Sequence, residues 1–316
     1  MADAILMMRL YARRAPDRAP AVFTPMLAEL VQHVVNGLIL GGGYALMGIG
    51  LTLIFGIMRV VNFAHGELFM LGAFFLYTLF SLWGVNFFVA SLLAVAGVAL
   101  VGAVVERLIL RPLREQPIEI PMLAMVALSV IIQNAAILIW DPSPKTIRHP
   151  FSPVPMTLGP IHVVAIRVFA GAVAVALIVG AHLFIQKTRL GRAMRATFQD
   201  TDMARLTGVD VDRIYMFTFA FGAALAGASG ALLGAVFWVY PAMGDLAALK
   251  SFAVVIMGGL GNFLGAIVGG LLLGVAESLG AGYISSGYKD AIGFVLIILL
   301  LVWRPQGLFG TKGLPR

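Results

Sequence analysis

Apolar residues run through this chain in long, nearly unbroken blocks, not in the alternating or one-faced patterns of soluble strands and helices. A helix needs about 20 apolar residues to cross a bilayer. Blocks of that character fall at 30–57, 67–83, 87–109, 120–140, 167–185, 214–239 and 291–303. A further stretch, 246–283, is too long for one straight span, and its middle reads Met257-Gly-Gly-Leu-Gly-Asn-Phe-Leu-Gly265. Glycine inside a helix costs roughly 1 kcal/mol relative to alanine. The cluster therefore predicts two helical pieces, the first short or half-penetrating, meeting near 258–265. The pattern as a whole predicts an all-α polytopic membrane protein with eight to nine hydrophobic helical segments, one of them a Gly-rich broken helix.

Charge between the blocks sets the orientation. Segment 106–119 carries Arg107, Arg111 and Arg114, and segment 186–213 carries Lys187, Arg189, Arg192, Arg195, Arg205 and Arg213. Basic loops stay cytoplasmic, and two spans separate these, so their parity agrees. The Pro-rich loop 141–166 is then external. The basic end from Arg304 is cytoplasmic, provided 246–283 makes two passes. Counting backwards places the start of the chain outside, where Arg9, Arg13, Arg14 and Arg18 break the rule. Those charges follow the short apolar run at 4–10 instead of preceding it, so the segment does not read as a signal peptide. Residues 1–25 are expected to be a disordered polar extension, or Met26 the true start, and 26–316 a single transmembrane domain.

Composition narrows the class. Of 316 residues, 60% are hydrophobic and only 12% charged, against about 25% charged in an average soluble protein. A soluble fold of this length could not hide that much apolar surface, and disordered chains are charge-rich and apolar-poor. The 36 glycines suit close helix contacts in lipid. With no cysteine, disulfides, Cys-ligated metals and Cys nucleophiles are excluded. Cytoplasmic loops account for the net charge of +7 without a nucleic-acid partner.

Two stretches carry a resemblance. One is Asn36-Gly-Leu-Ile-Leu-Gly-Gly-Gly-Tyr-Ala-Leu46, continuing at Gly56-Ile-Met-Arg-Val-Val-Asn-Phe-Ala-His-Gly-Glu-Leu-Phe-Met-Leu-Gly72. The other is Gly191-Arg-Ala-Met-Arg-Ala196, continuing at Ala204-Arg-Leu-Thr-Gly208 and Val211-Asp-Arg213. With Gly258-Gly-Leu-Gly261 and Arg304-Pro-Gln-Gly-Leu308, they make the chain resemble, from about 30 to 309, the LivH-type permeases of branched-chain amino acid ABC transporters. The resemblance implies a bacterial inner-membrane importer. Its implied partners are a LivM-type permease, two ATPase subunits that bind ATP and Mg, and a periplasmic substrate-binding protein. No cofactor is expected in this chain itself. Leucine, isoleucine and valine are the implied substrates; urea, short amides and aromatic acids are used by relatives.

Against that background, segment 194–208 is expected to form a short cytoplasmic coupling helix seated on an ATPase. Ala196, Met203, Leu206 and Val209 recur near helical spacing. Arg192, Arg195, Asp202 and Arg205 supply a polar rim. Gly208 is placed to end the helix. Asp202-Met203-Ala204-x-x-x-Gly208 departs from the Glu-Ala-Ala-x-x-x-Gly of ABC coupling helices at its first two positions. A solvated basic loop that only sets topology is the plainer reading.

Other polar residues interrupt the spans. Asn62, His65 and Glu67 lie between the first two, near the cytoplasmic side; Glu67 suits a helix N-terminus. Capping and packing compete there with a gating role, which their cost in a membrane would favour. Gln133, Asn134, Glu277 and Ser278 fall inside later blocks, where interhelical hydrogen bonding is the plain reading and a polar path the sharper one. Gly258 and Gly261 join the gating set through the helix break. One His and one Glu two residues apart are no metal site. Gly227-Ala-Ser-Gly230 resembles the serine motif of rhomboid proteases, but all five histidines precede Ser229, so close helix contact is the better reading. The chain has no phosphate-binding Gly-x-x-x-x-Gly-Lys-[Ser/Thr] and is expected to be a transporter subunit, not an enzyme. A secondary transporter or channel is the rival class.

Overall fold

The computed structural model describes residues 23–310 apart from 152–154 and 159–160. The expected extension at 1–25 therefore falls outside the described residues, except for the backbone of its last three. The helices in chain order are α1 (Phe23–Met58), α2 (His65–Leu76, prolonged by a π-helical stretch to Leu82), α3 (Phe87–Val105, prolonged to Leu110) and α4 (Glu119–Trp140). There follow α5 (Ala165–Lys187), α6 (Arg189–Gln199), α7 (Thr201–Leu206), α8 (Val211–Val236), α9 (Met243–Gly258), α10 (Phe263–Tyr283) and α11 (Lys289–Trp303). Among the described residues, eight helices are long and apolar enough to cross a membrane. Helix α9, with 16 residues, is the short piece before the glycine break. Within the loop read only as Pro-rich and external, Pro155–Leu158 (β1) pairs antiparallel with Ile161–Val164 (β2), Met156 opposite Val163.

Polar residues set the helix starts. Asn86 Oδ1 accepts from Phe88 N at 3.0 Å, Asp210 Oδ1 from Arg213 N at 3.1 Å, and Asn262 Oδ1 from Gly265 N at 2.9 Å, each an N-cap that satisfies an otherwise orphaned helix donor. Packing then runs on small residues. Helix α1 is the axis of the bundle, with Ala45, Leu46, Met47 and Ile49 fully buried. It meets α10 backbone to backbone: a Cβ on Gly274 would fall 2.4 Å from Gly37 O and Gly41 N. Glycines four apart on both helices make this the small-residue contact that lets membrane helices approach closely. Outward faces of α3, α4 and α11 stay apolar, with Leu100, Leu138 and Val302 exposed, as lipid contact requires.

The loops gather at two ends. At one, Arg114 bonds Asp212 at 2.6 Å and also Glu106, and Leu308 N donates to Met257 O at 2.8 Å. Segments 106–119, 186–213 and 304–310 therefore share a basic end. At the other, Lys145 and Val239 exchange backbone hydrogen bonds of 2.8 and 2.9 Å, and the His33 ring lies beside Tyr283. These segments lie at one end as the parity of the charges expects; within 246–283, only α10 among the described residues is long and apolar enough to cross a membrane, and α9 is the short piece.

Candidate functional site

Chain reversal after α1 builds the first polar element. Helix α1 closes at Met58, and Arg59 takes a left-handed φ of 54°. Residues 60–64 then fold back into the bundle instead of staying at its rim. His65 Nε2 lies 3.0 Å from Met47 O, and a Cβ on Gly50 would come within 3.2 Å of its ring. Asn62, His65 and Glu67 are all buried. This revises the expected placement of the block near the cytoplasmic side: α2 begins inside the protein, beside the middle of α1. Both Asn62 amide atoms, His65 Nδ1 and Glu67 Oε2 are buried without a hydrogen-bond partner among the described residues, which is costly in a low-dielectric interior. Gly244 makes room for the Glu67 carboxyl, which a Cβ there would approach to 2.7 Å.

A second element joins α4 to α9. Gln133 Nε2 donates to Asp245 Oδ2 at 2.8 Å. Asn134 is not brought into this group; it is exposed and donates to its own helix, at Val130 O.

The third element holds the strongest electrostatics. Lys250 Nζ lies 2.8 Å from Glu277 Oε2 and 2.8 Å from Asp290 Oδ1, and 2.9 Å from the Tyr44 hydroxyl, which donates to the same Glu277 oxygen at 2.9 Å. Four helices, α1, α9, α10 and the start of α11, thus converge on one ammonium. Glu277 belongs to the sequence-derived set. Lys250, Asp290 and Tyr44 do not, because each stands alone in its own segment and only the tertiary fold brings them together. Asp245, Asp290 and the buried Glu106 are further acids within the helical bundle. Ser278 Oγ donates to His33 O at 2.7 Å. These residues wall a cavity of about 620 Å³ at the end opposite the basic loops.

At the basic end, the expected single helix over 194–208 is two. Asp200 is extended, with φ −156°, and its Oδ1 accepts from the backbone of Asp202 and Met203 at 2.9 and 3.0 Å. It ends α6 and caps α7. Gly208 closes α7 as the C-cap rule expects: with φ 85° its N–H bonds Arg205 O, while Val209 N bonds Ala204 O, a Schellman arrangement. Ala204 is buried, whereas Met203 is 58% and Leu206 79% exposed. Arg192, Asp202 and Arg205 face out. Arg195 does not: its guanidinium turns inward and donates to Ile185 O near the end of α5, satisfying a helix-terminal carbonyl, and Ala196 is half-buried. Beneath α6, Phe198 crosses to the glycine break, where Gly259 and Gly261 take φ of 101° and 80°. Gly258 meets Gly265 so closely that a Cβ would fall 2.3 Å from its carbonyl carbon. A cavity of about 280 Å³ lies between α6, Thr52, His182 and Asn262.

Ser229 takes no part in a catalytic arrangement; its Oγ donates to Gly43 O at 2.8 Å. Among the described residues no group of three or more His, Asp or Glu is placed to hold a metal ion.

Residues 33–301 match the family model described as branched-chain amino acid transport system / permease component. Among curated proteins, the chain is 38% identical to the high-affinity branched-chain amino acid transport system permease protein BraD of Pseudomonas aeruginosa, over 90% of this chain and 97% of the relative. It is 34% identical to LivH of Escherichia coli, described in the same words, over 89% and 95%. A shorter likeness, 32% over 121 residues, links it to LivM of Escherichia coli, covering 38% of this chain and 28% of the relative. No solved structure matches.

Proposed function

Because this chain belongs to the branched-chain amino acid transport system permease family, we propose that it carries branched-chain amino acids inward across the bacterial inner membrane as one permease half of an ATP-driven importer. It is a membrane transport subunit, not an enzyme. The carrying observation is the match along nearly the full length of both chains to BraD and LivH. A LivM-type permease is its partner, and the partial likeness to LivM supports a second half built on related lines. Two ATPase subunits, which bind ATP and Mg, supply the energy, and a periplasmic binding protein delivers the substrate.

The two ends take separate tasks. The basic end, including Arg304, faces the cytoplasm by the positive-inside rule. There α7 offers Met203 and Leu206, two apolar side chains fixed on a doubly capped turn, to a groove on an ATPase. The opposite end, with the 145–239 bridge and the hairpin, receives the loaded binding protein. Substrate then passes between this chain and its permease partner, with the Asn62–Glu67 block and the glycine break moving as the spans rock.

Reconstitution in liposomes with a LivM-type permease, two ATPase subunits and a leucine-binding protein tests the reading. Leucine uptake is expected only when ATP and the binding protein are both present. In the Leu206→Asp complex, uptake should fall by about tenfold or more, since burying one leucine is worth about 1.5–3 kcal/mol, while membrane insertion is unchanged. Leucine flux without ATP or ATPases would point instead to a channel or secondary transporter.

A further inference from the structure

A lysine held by two carboxylates and a tyrosine deep among membrane helices is expensive. Desolvation opposes every charge in it, and ionisable groups inside the bilayer are seldom kept for packing alone. Lys250, Glu277 and Tyr44 are each less than a tenth exposed, so the cluster is not a hydrated surface network. It forms part of the wall of the 620 Å³ cavity, whose size falls within the roughly 300–1,000 Å³ of small-molecule sites.

The charges on that wall do not cancel locally. One buried ammonium, Lys250, is shared by two carboxylates, Glu277 and Asp290, so this cluster by itself carries one negative charge in excess, although Arg167 and Lys289 make the lining as a whole net positive. Asp290 is the more open of the two acids, with its side chain 31% exposed against 4% for Glu277, so the excess is presented at Asp290. Elsewhere on the same wall stands Arg167, whose single partner among the described residues is the Asn36 side-chain oxygen, at 3.5 Å. Lys289 also borders the cavity but is exposed. Between these groups the lining is apolar, with Leu40, Phe69 and Leu246. A half-open carboxylate that shares its one ammonium with Glu277, a guanidinium with no acid partner among the described residues and an apolar wall form the complement of a zwitterion with a hydrocarbon side chain.

We propose that this cavity is a substrate-reception chamber within the chain, which holds a free α-amino acid by its ammonium at Asp290 and its carboxylate at Arg167 before the amino acid moves on between the permease halves. The assignment rests on the transport reading above and adds to it a place and two recognition groups. Lys250 is a positioning residue here: it holds Glu277, Asp290 and Tyr44 together across four helices and is not itself a ligand contact.

The absence of cysteine from the chain gives a direct test. Ala281→Cys places a single thiol on the chamber wall. In the full reconstituted complex without binding protein, the rate of its modification by a small charged methanethiosulfonate reagent is followed in this chain. Leucine should slow modification about tenfold or more, whereas leucinamide, which lacks the carboxylate, and 4-methylpentanoate, which lacks the ammonium, should not. Adding Arg167→Gln or Asp290→Asn should abolish protection by leucine, with a loss of about tenfold or more in apparent affinity, the order expected for removing a charge-assisted hydrogen bond. Copurification of the LivM-type permease and the ATPase subunits with each variant shows that it assembles. If the complex takes up leucine while the thiol stays unprotected, the chamber is wrong and the transport reading stands. Equal protection by leucinamide or 4-methylpentanoate overturns the zwitterion match. A complex that takes up no leucine overturns the transport reading and the chamber with it.

Discussion

The ring of Phe198 lies against the glycine break: a Cβ on Gly261 would sit 3.2 Å from its Cε2, and one on Gly56 only 2.8 Å. A side chain of the amphipathic helix α6 thus touches both the closing turn of α1 and the hinge between α9 and α10. This ring is one contact that joins α6 both to α1 and to the α9–α10 break.

Phe198→Ala should therefore weaken coupling without dissolving the complex. The ring is 47% exposed, so its loss removes about 1–1.5 kcal/mol of apolar contact, about half of a full burial. ATP-driven uptake should fall roughly five- to tenfold while the ATPase subunits still copurify. Uptake per ATP hydrolysed is the measurement, and an unchanged ratio would remove Phe198 from the route. Gly261→Leu should do worse, because φ of 80° costs an L-residue about 1–2 kcal/mol and the new side chain meets the ring. Gly261→Asn, which tolerates the left-handed region, should retain more activity than Gly261→Leu.

Arg114 holds the basic end together. It pairs with Glu106, whose side chain is 1% exposed, and with Asp212. Arg114→Ala leaves a buried carboxylate without its partner, a change that typically costs about 3–5 kcal/mol. The purified variant should show a clearly lower midpoint of thermal unfolding in detergent, and the double change Arg114→Met with Glu106→Met should recover most of it. A midpoint equal to the parent's for Arg114→Ala would mean that water reaches Glu106.

How far these features could be read in advance follows from their physics. Long apolar blocks, a glycine cluster and the basic loops are local or cumulative signals, so the spans, the α9–α10 break and the shared basic end were all legible. Arg114 was legible only as topological charge, since its bond to Asp212 depends on how two loops meet. Lys250 and Asp290 gave no signal, because Tyr44 and Glu277 lie on other helices and no spacing links them. The block at 62–67 reads the same in sequence whether it stays at the rim or folds inward, and the reversal at Arg59 decided for inward. Asp200, with its own capping chemistry, split a helix that apolar spacing alone joined into one.

Asn262 serves two elements at once. Its Oδ1 caps α10 at Gly265 N, and its Nδ2 donates to Phe309 O at 3.2 Å, tying the segment after α11 to the break. Asn262→Ala removes both bonds and should destabilise the chain by about 1–2 kcal/mol. Asn262→Asp keeps the cap and loses the donor, so it should fall between the two. Protease sensitivity of the 304–310 segment checks the tie to Phe309: it should rise in both variants, and an unchanged digestion pattern would count against it.

Ser229 and Gly230 are neighbours with opposite expected tolerances, and the contrast discriminates packing from chemistry. Ser229 donates to Gly43 O, an interhelical bond of a kind worth about 0.6 kcal/mol in membranes, and it occupies no catalytic arrangement. Ser229→Ala should therefore keep assembly and uptake within about threefold of the parent, in line with that small energy. Gly230 has no such freedom: a Cβ there would fall 1.8 Å from Phe69 O. That atom is backbone in the first turns of α2, so it cannot swing aside as a side-chain tip would. Gly230→Ala must push α2 away from α8. Overpacking of this kind costs typically about 1–3 kcal/mol, and Gly230→Leu should cost more. Because α2 begins beside Met47 and carries Glu67, the displacement should also disturb the buried polar block, so uptake should fall further than the loss of folded protein alone explains. Measuring specific uptake against the amount of assembled complex tells the two effects apart. A Gly230→Leu protein that assembles and transports normally would refute the close α2–α8 contact on which the placement of Asn62, His65 and Glu67 depends.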